Sequence, residues 1–155
     1  MTQAFLPMLI KARSFGRDPL IVNHTSGAAV MPVVFMSSYA MSKAAASMFS
    51  DVLRLEVEPF GLRVVELRSG WTKSNIAANS GNPDKTIPDD SIYSFAKDIV
   101  EGVMSSVDDK PGAVQRMDGM VWAERVARDL LKDSPARRIE HGNGVILTSL
   151  VGRQG

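Results

Sequence analysis

Residues 21–43 read IVNHTSGAAVMPVVFMSSYAMSK. The apolar beginning predicts a buried strand over Leu20–His24, and the end predicts a helix that opens just before Tyr39. Tyr39 and Lys43 are four residues apart, so their side chains leave the same face of that helix. Ser26 follows the strand at its carboxyl end, where open α/β sheets bind their ligands. The stretch therefore predicts a hydroxyl, a phenol and an ammonium at one edge of a sheet.

The residues that follow extend this unit into a strand–helix–strand pattern. The helix is predicted to run to Glu58, because Pro59 and Gly61 interrupt it there. Leu62–Leu67 (LRVVEL) has the β-branched character of a second strand. A long helix between two such strands is typical of a βαβ crossover in a parallel sheet, so the predicted fold class is α/β.

The rest of the chain contributes further helices and a loop. The helix capped by Asp118 is predicted to turn its apolar residues inward: Met120, Val121, Val126, Leu130 and Leu131. The other predicted elements are a helix over Thr2–Ala12, a long polar loop over Ser69–Asp89, a helix over Asp90–Val107 and a strand over Gly144–Val151.

Composition excludes several classes of function. At 155 residues and 45% hydrophobic content the chain is about one globular domain, and a net charge of +1 gives no reason to expect nucleic acid. The sequence has no cysteine, which excludes disulfides and cysteine-based metal sites. His24 and His141 lie far apart without carboxylates at ligand spacing, so we expect structural histidines and no metal. The longest apolar run, Gly27–Met36, contains Pro32 and is too short for a transmembrane segment.

The chemistry of the opening stretch follows from its residue types. A phenol is a poor acid or base at neutral pH, and an ammonium one turn away favours the phenolate. A serine hydroxyl can hold a substrate carbonyl or alcohol oxygen against that phenol. The arrangement suits proton transfer at an oxygen while a cofactor moves a hydride at the attached carbon. On spacing alone, Tyr39 and Lys43 also fit an ordinary helix surface, and Ser26 fits a turn cap.

Three phrases together resemble the classical short-chain dehydrogenase/reductase (SDR) family: IVNHTSGAA, YAMSKAAASMFSDVLRLEVEPFGLRVVELRSG and WTKSN. Within it, PFGLRVVELRSG is most similar to the fungal 1-acyldihydroxyacetone-phosphate reductase-like branch. The resemblance implies the carboxyl-terminal part of a Rossmann-type doubly wound parallel sheet, an incomplete SDR fold. We expect a single partial domain with a catalytic βαβ core (1–68), a substrate-lid loop and helix (69–112), and a carboxyl-terminal helix and tail (113–155).

The resemblance also assigns roles to individual residues. It implies that Ser26, Tyr39 and Lys43 are catalytic, with Lys43 also hydrogen-bonding the nicotinamide ribose. The family's Pro-Gly turn is Ser69-Gly70 here, and the loop 75–88 is the expected substrate lid. The residues expected to bind the cofactor, NADP or NAD, are Tyr39, Lys43, Gly70, Trp71, Thr72 and Ser74.

The family's cofactor-binding half is absent from this sequence. No glycines have the Gly-x-x-x-Gly-x-Gly spacing of the pyrophosphate turn. The family's catalytic asparagine would fall upstream of Met1, so we expect the carboxyl-terminal half of a reductase.

Two functional classes follow. One is an NAD(P)-dependent oxidoreductase acting on an apolar, lipid-like or secondary-metabolite ketone or alcohol. The alternative is a truncated, inactive fragment that associates through helix 39–58 as a homo-oligomer or interaction module. The small Ala44–Ala46 side of this helix permits close approach either to the sheet or to a twin helix in a dimer. The expected location is the cytoplasm, with the surface of lipid droplets or the endoplasmic reticulum as the alternative.

Overall fold

The structure is a computed structural model that describes residues 1–76, 79, 86–105 and 115–144. Three short 3-10 turns lie between the longer elements, over Gly27–Ala29, Glu58–Phe60 and Ser94–Ala96. None of the described helices is long and apolar enough to cross a membrane. The elements are α1 (Thr2–Ser14), β1 (Leu20–Ser26), α2 (Ser37–Val57), β2 (Arg63–Ser69), α3 (Lys97–Ser105), α4 (Gly119–Leu130) and β3 (Arg138–His141).

Within the described residues, β1, β2 and β3 form a parallel sheet in that order. Ser26, the last residue of β1, lies beside Ser69, and Ser69 lies beside His141 of β3. The strands therefore end at a common edge. The connection from β1 to β2 runs through α2, as parallel pairing requires. The predicted α/β sheet with a βαβ crossover is confirmed.

Several element boundaries differ from the predictions. β1 and β2 each run two residues beyond their predicted ends, because the ladder between them continues to Ser26 and Ser69. β3 was not predicted. Of the strand expected over 144–151, only Gly144 is among the described residues, and Gly144 lies in a turn. The helix expected from Asp90 begins only at Lys97.

One face of the sheet packs against α1 and α2. Side chains alternate across a strand, so Val64 and Ile21 point to this face near the amino ends of β2 and β1. Apolar burial is the main stabilising term in such a cluster. Its fully buried members are Leu53, Val57, Leu62 and Val64, and Leu6, Leu9, Ile10 and Ile21 pack around them.

The opposite face packs against α4. Asp118 caps this helix as predicted: its Oδ1 accepts hydrogen bonds from the N–H groups of Met120 (2.9 Å) and Val121 (3.3 Å). Met120, Val121 and Leu131 are 71%, 40% and 83% exposed, so their predicted inward orientation is wrong. The buried members of this second cluster are Val65, Leu67, Val126 and Ile139, with Leu20, Trp122 and Leu130 around them.

A buried ionic cluster, defined here as Thr25, Ser47, Glu66 and Arg68, replaces apolar packing on the α2 side near the carboxyl ends of the strands. Glu66 is 0% and Arg68 2% exposed. Burial raises the pKa of the Glu66 carboxyl. Hydrogen bonds from Arg138, Thr25 and Ser47, with the charge of Arg68, outweigh burial and hold that pKa below its ordinary value.

Replacement of Glu66 tests how much this cluster stabilises the fold. We expect Glu66→Gln to lower the free energy of unfolding by about 3–5 kcal/mol, because Arg68 loses the fully buried one of its two counter-charges, Glu66 and Glu140. Because the pKa of Glu66 is lowered by folding, its contribution is present at neutral pH and is lost on acidification. Urea unfolding at neutral and acidic pH measures both effects.

An exposed ion pair provides the control. Asp18, which pairs with Arg63 at 3.3 Å, has a side chain that is 58% exposed. Asp18→Asn should change the unfolding free energy by less than about 1 kcal/mol. An equally small effect of Glu66→Gln would show that the buried pair contributes no more than a surface pair.

Candidate active site

A cavity of about 1030 Å³ opens at the carboxyl ends of the strands. Ser26, Tyr39 and Lys43, the three residues expected to be catalytic, all line it. It lies at the edge of a parallel sheet where ligands bind in open α/β folds. The connection from β1 to α2 thus brings a hydroxyl, a phenol and an ammonium to one cavity.

Ser26 ends β1 and caps the 3-10 turn at Gly27–Ala29. Its Oγ accepts a hydrogen bond from the N–H of Ala28 at 3.2 Å, which fixes the position of the oxygen. Among the described residues, no hydrogen bond donated by this hydroxyl is found. Its hydrogen is therefore available to an oxygen atom in the cavity. The turn-cap and functional interpretations of Ser26 are compatible.

Tyr39 and Lys43 lie in the first turns of α2 and are both half-buried. The Lys43 ammonium lies 5.6 Å from the centre of the Tyr39 ring. A cation near a phenol favours its ionised form and also interacts with the ring face. The helix thus presents a phenol and a positively charged group to the same space.

The segment after β2 forms another wall. The N–H of Gly70 donates to the carbonyl of His141 at 2.8 Å, and that of Trp71 donates to the carbonyl of Asn143 at 2.9 Å. Gly142 has φ +111°, and a Cβ there would lie 2.8 Å from the Gly70 backbone. Only glycine fits such a close approach of two chains. The need for Gly142 was not evident from the sequence, because it arises from a contact with Gly70.

The expected cofactor-binding residues all reach this cavity: Tyr39, Lys43, Gly70, Trp71, Thr72 and Ser74 line it. Thr72 Oγ1 donates to the Gly70 carbonyl at 3.4 Å, and Ser74 Oγ accepts from the N–H of Ile76 at 3.5 Å. Both are weak hydrogen bonds. The expected lid, 75–88, lies largely outside the described residues.

His24 is a cavity residue that sequence reasoning treated as structural. Its Nε2 lies 2.7 Å from the hydroxyl of Ser69, the residue that stands where the family has proline. Its ring lies 5.6 Å from that of Trp122, with an angle of 30° between the planes. Desolvation, followed by the charge of Lys43, lowers the pKa of His24. His141, by contrast, is paired with Asp129 at 2.8 Å.

The charge of the cavity wall is one-sided. Within the described part of the chain, Lys43, Lys73 and Arg116 line it and no carboxylate does. Lys73 and Arg116 were not singled out from the sequence, since the segments that carry them are far apart in the chain. The bridge between Thr72 and Met117 brings those segments together.

The other aromatic and methionine residues divide between the cavity and the surface. Trp71, Met31 and Met36 line the cavity. Tyr93 does not, and packs edge-to-face on Phe35 with ring centres 5.6 Å apart. Met41 is 68% exposed and therefore does not fill core space.

A family profile described as short chain dehydrogenase matches residues 1–86, more than half of the chain. The chain belongs to the short-chain dehydrogenase family. The family resemblance read from the sequence is confirmed. The more specific fungal branch remains a prediction.

Individual relatives are longer than this short-chain dehydrogenase chain. It is 38% identical over 143 residues to a short-chain dehydrogenase/reductase of Pestalotiopsis microspora, covering 92% of this chain and 45% of the relative. It is 38% identical over 101 residues to estradiol 17-beta-dehydrogenase 2 of Mus musculus, covering 65% of this chain and 25% of the relative. The chain thus spans less than half the length of these relatives.

Solved structures show the same proportion. A short-chain dehydrogenase from Streptomyces avermitilis matches with a TM-score of 0.65 and 23% identity, over 98% of this chain and 50% of that one. The closed form of serine dehydrogenase complexed with NADP+ matches with a TM-score of 0.61 and 17% identity, over 92% of this chain and 49% of that one. These matches show the fold: the chain corresponds to about half of a Rossmann-type SDR domain.

The lowered pKa of His24 can be tested by NMR titration of the imidazole signals. We expect His24 to titrate below the ordinary histidine value of 6.5. Lys43→Met should raise this pKa only in part, because desolvation, the larger cause, remains. Lys11→Met, at an exposed position of α1, serves as the control and should leave it unchanged. No change with Lys43→Met would contradict the electrostatic contact across the cavity.

Proposed function

We propose that this chain carries the acid–base half of an NAD(P)-dependent oxidoreductase that interconverts a ketone and a secondary alcohol. The observation that carries the proposal is that Ser26, Tyr39 and Lys43 line one cavity, with the Lys43 ammonium 5.6 Å from the Tyr39 ring centre. Family membership supports an oxidoreductase.

Each side chain has a separate task in this proposal. The Ser26 hydroxyl donates a hydrogen bond to the substrate oxygen, since its own Oγ is already held by Ala28. Tyr39 gives a proton to that oxygen in reduction and accepts it in oxidation. The ammonium of Lys43 stabilises the phenolate that Tyr39 becomes after giving up its proton. The apolar walls exclude water from this exchange.

The cavity has donors that fit a nicotinamide nucleoside. Lys43, Thr72 and Ser74 line the same cavity. An ammonium and hydroxyl groups can hydrogen-bond ribose hydroxyls and a carboxamide. When bound, the cofactor supplies the hydride. No glycine turn in this sequence would hold its pyrophosphate.

The substrate we propose has an apolar body. The cavity wall is formed largely by apolar side chains and backbone, with Met31, Val33, Met36, Trp71 and Ile76 among them. One relative is named estradiol 17-beta-dehydrogenase 2, which supports a secondary alcohol on an apolar frame. The proposal covers lipid-like and secondary-metabolite substrates of this kind.

A tyrosine pair tests the acid–base assignment. Tyr39→Phe should lower kcat by about 10²–10⁴-fold because proton transfer is lost. Tyr93→Phe removes the chain's other tyrosine, which does not line the cavity, and should leave kcat unchanged. Turnover is followed by nicotinamide absorbance with an apolar secondary alcohol and its ketone. Measurable turnover that is equal for Tyr39→Phe and the unmodified protein would overturn the assignment.

A second candidate is self-association without catalysis. Met41, Met48, Val52 and Leu55 of α2 are 68%, 63%, 44% and 70% exposed, and their spacing places them along one stripe of the helix. In the described sheet, β1 pairs with β2 on one side only. Exposed apolar stripes and strand edges both favour association.

Cofactor titration and sedimentation separate the two candidates. Both tryptophans, Trp71 and Trp122, line the cavity, so their fluorescence reports NADPH or NADH binding there. We expect weak binding to this chain alone, because the pyrophosphate turn is missing. Tight, saturable binding would overturn the inactive-fragment candidate.

The association candidate makes its own prediction. Leu55→Glu should shift the chain from dimer to monomer in analytical ultracentrifugation, because a carboxylate replaces apolar surface in the stripe. Arg125→Glu, on the exposed side of α4, is the charge-changing control. A chain that is monomeric before substitution would exclude association through this stripe.

A further inference from the structure

The buried ionic cluster lies beside the candidate active site, although none of its charged groups belongs to the proposed reaction. Thr25 directly precedes Ser26, and Ser47 lies one helical turn after Lys43 on α2. Arg68 precedes the Ser69-Gly70 turn. The cluster therefore joins the three segments that carry the proposed site.

Glu66 links neighbouring strands through its two oxygens. Its Oε1 accepts from Thr25 Oγ1 at 2.7 Å and from Arg68 Nη2 at 3.0 Å. Its Oε2 accepts from Arg138 Nε of β3 at 2.6 Å. One carboxylate thus has partners on β1, β2 and β3, and it fixes these strands at the level of the site.

Arg68 extends the cluster to the helix. Its Nη2 donates to Ser47 Oγ at 3.2 Å, and its Nη1 donates to Glu140 at 3.2 Å. The guanidinium is planar and has fixed donor directions, so these bonds specify the position of Ser47 along and around α2. Lys43 and Tyr39 lie one and two helical turns before Ser47 on the same helix.

The α2 side of the sheet also contains apolar contacts, which can be compared with the ionic cluster. Nearer the amino ends of the strands, Leu53 and Val57 of α2 pack on the sheet through non-directional apolar contacts. Buried ion pairs are seldom more stabilising than apolar residues of similar volume. Their directional bonds, in contrast, select one position of the helix on the sheet.

We propose that Glu66 and Arg68 are positioning residues: they set the placement of α2 on the sheet, and thereby the position of Tyr39 and Lys43 relative to Ser26. The inference rests on the proposed function for the roles of those three residues. The geometric part, the placement of Lys43 relative to β1, stands independently of catalysis.

The chain contains an internal reporter of this placement. Lys43 on α2 lowers the pKa of His24 on β1, after desolvation as the larger cause. The rise of the His24 pKa on Lys43→Met measures how closely the helix holds its ammonium to the strand. This rise in the His24 pKa is measured twice, once with the cluster intact and once with Glu66 and Arg68 replaced. Because each rise is a difference within one background, any direct effect of Glu66 and Arg68 on the His24 pKa cancels.

The test replaces the cluster's charges together. Glu66→Leu with Arg68→Met keeps side-chain volume and removes both charges of the buried pair. Their outer partners, Arg138 and Glu140, have side chains that are 42% and 19% exposed and keep access to solvent, so we expect the thermal midpoint to change little. We expect the Lys43-dependent shift of the His24 pKa to fall to less than half of its original size. An undiminished shift in a folded paired variant would overturn the proposal.

Two further variants separate positioning from stability. Leu53→Ala leaves a cavity on the same face of α2 and lowers the thermal midpoint, but should preserve the Lys43-dependent shift. Ser47→Ala removes the hydrogen bond from Arg68 to α2 and should reduce the shift with little loss of stability. If Leu53→Ala reduces the shift as much as Ser47→Ala does, the cluster acts only through stability and the proposal fails.

These outcomes are independent of turnover. A reduced shift in the paired variant supports positioning even if Tyr39→Phe shows that the acid–base assignment is wrong. An unchanged shift refutes positioning even if Tyr39→Phe abolishes turnover. Failure of the proposed function and failure of this inference are therefore distinguishable.

Discussion

The parallel ladder between β1 and β2 is the constraint on which the rest of the structure depends. It places Ser26 beside Ser69, so the ends of both strands share one edge of the sheet. A parallel pair needs a crossover, and the crossover helix α2 must begin above that same edge. Tyr39 and Lys43, in its first turns, consequently face the cavity that Ser26 and the Gly70 segment border.

The two ends of this sheet are held by different forces. Near the amino ends of the strands, apolar side chains of α1, α2 and the sheet form a cluster that stabilises the fold. Near the carboxyl ends, the buried ionic cluster takes over, with Glu66 and Arg68 almost completely excluded from solvent. Non-directional packing thus lies far from the proposed chemistry, and directional bonding lies next to it.

The cavity combines two kinds of surface. Apolar side chains such as Met36 and Trp71 form walls suited to an apolar substrate, while Lys43, Lys73 and Arg116 give it a positive charge. Gly142 and Gly144 allow the chain after β3 to pass against Gly70 and Trp71. The site is therefore assembled from segments that follow each of the described strands.

The sequence by itself determined the βαβ unit, because strand and helix periodicity encode it locally. Three phrases that resemble the short-chain dehydrogenase family indicated the family, and with the βαβ unit they predicted that Ser26, Tyr39 and Lys43 converge. Tertiary structure alone decided the rest. Glu66 and Arg68 lie in a short strand whose pattern does not reveal a buried ion pair, and β3 is a strand because β2 offers it a partner. Arg116 reaches the cavity through the bridge between Thr72 and Met117, a contact between distant segments that no local pattern records.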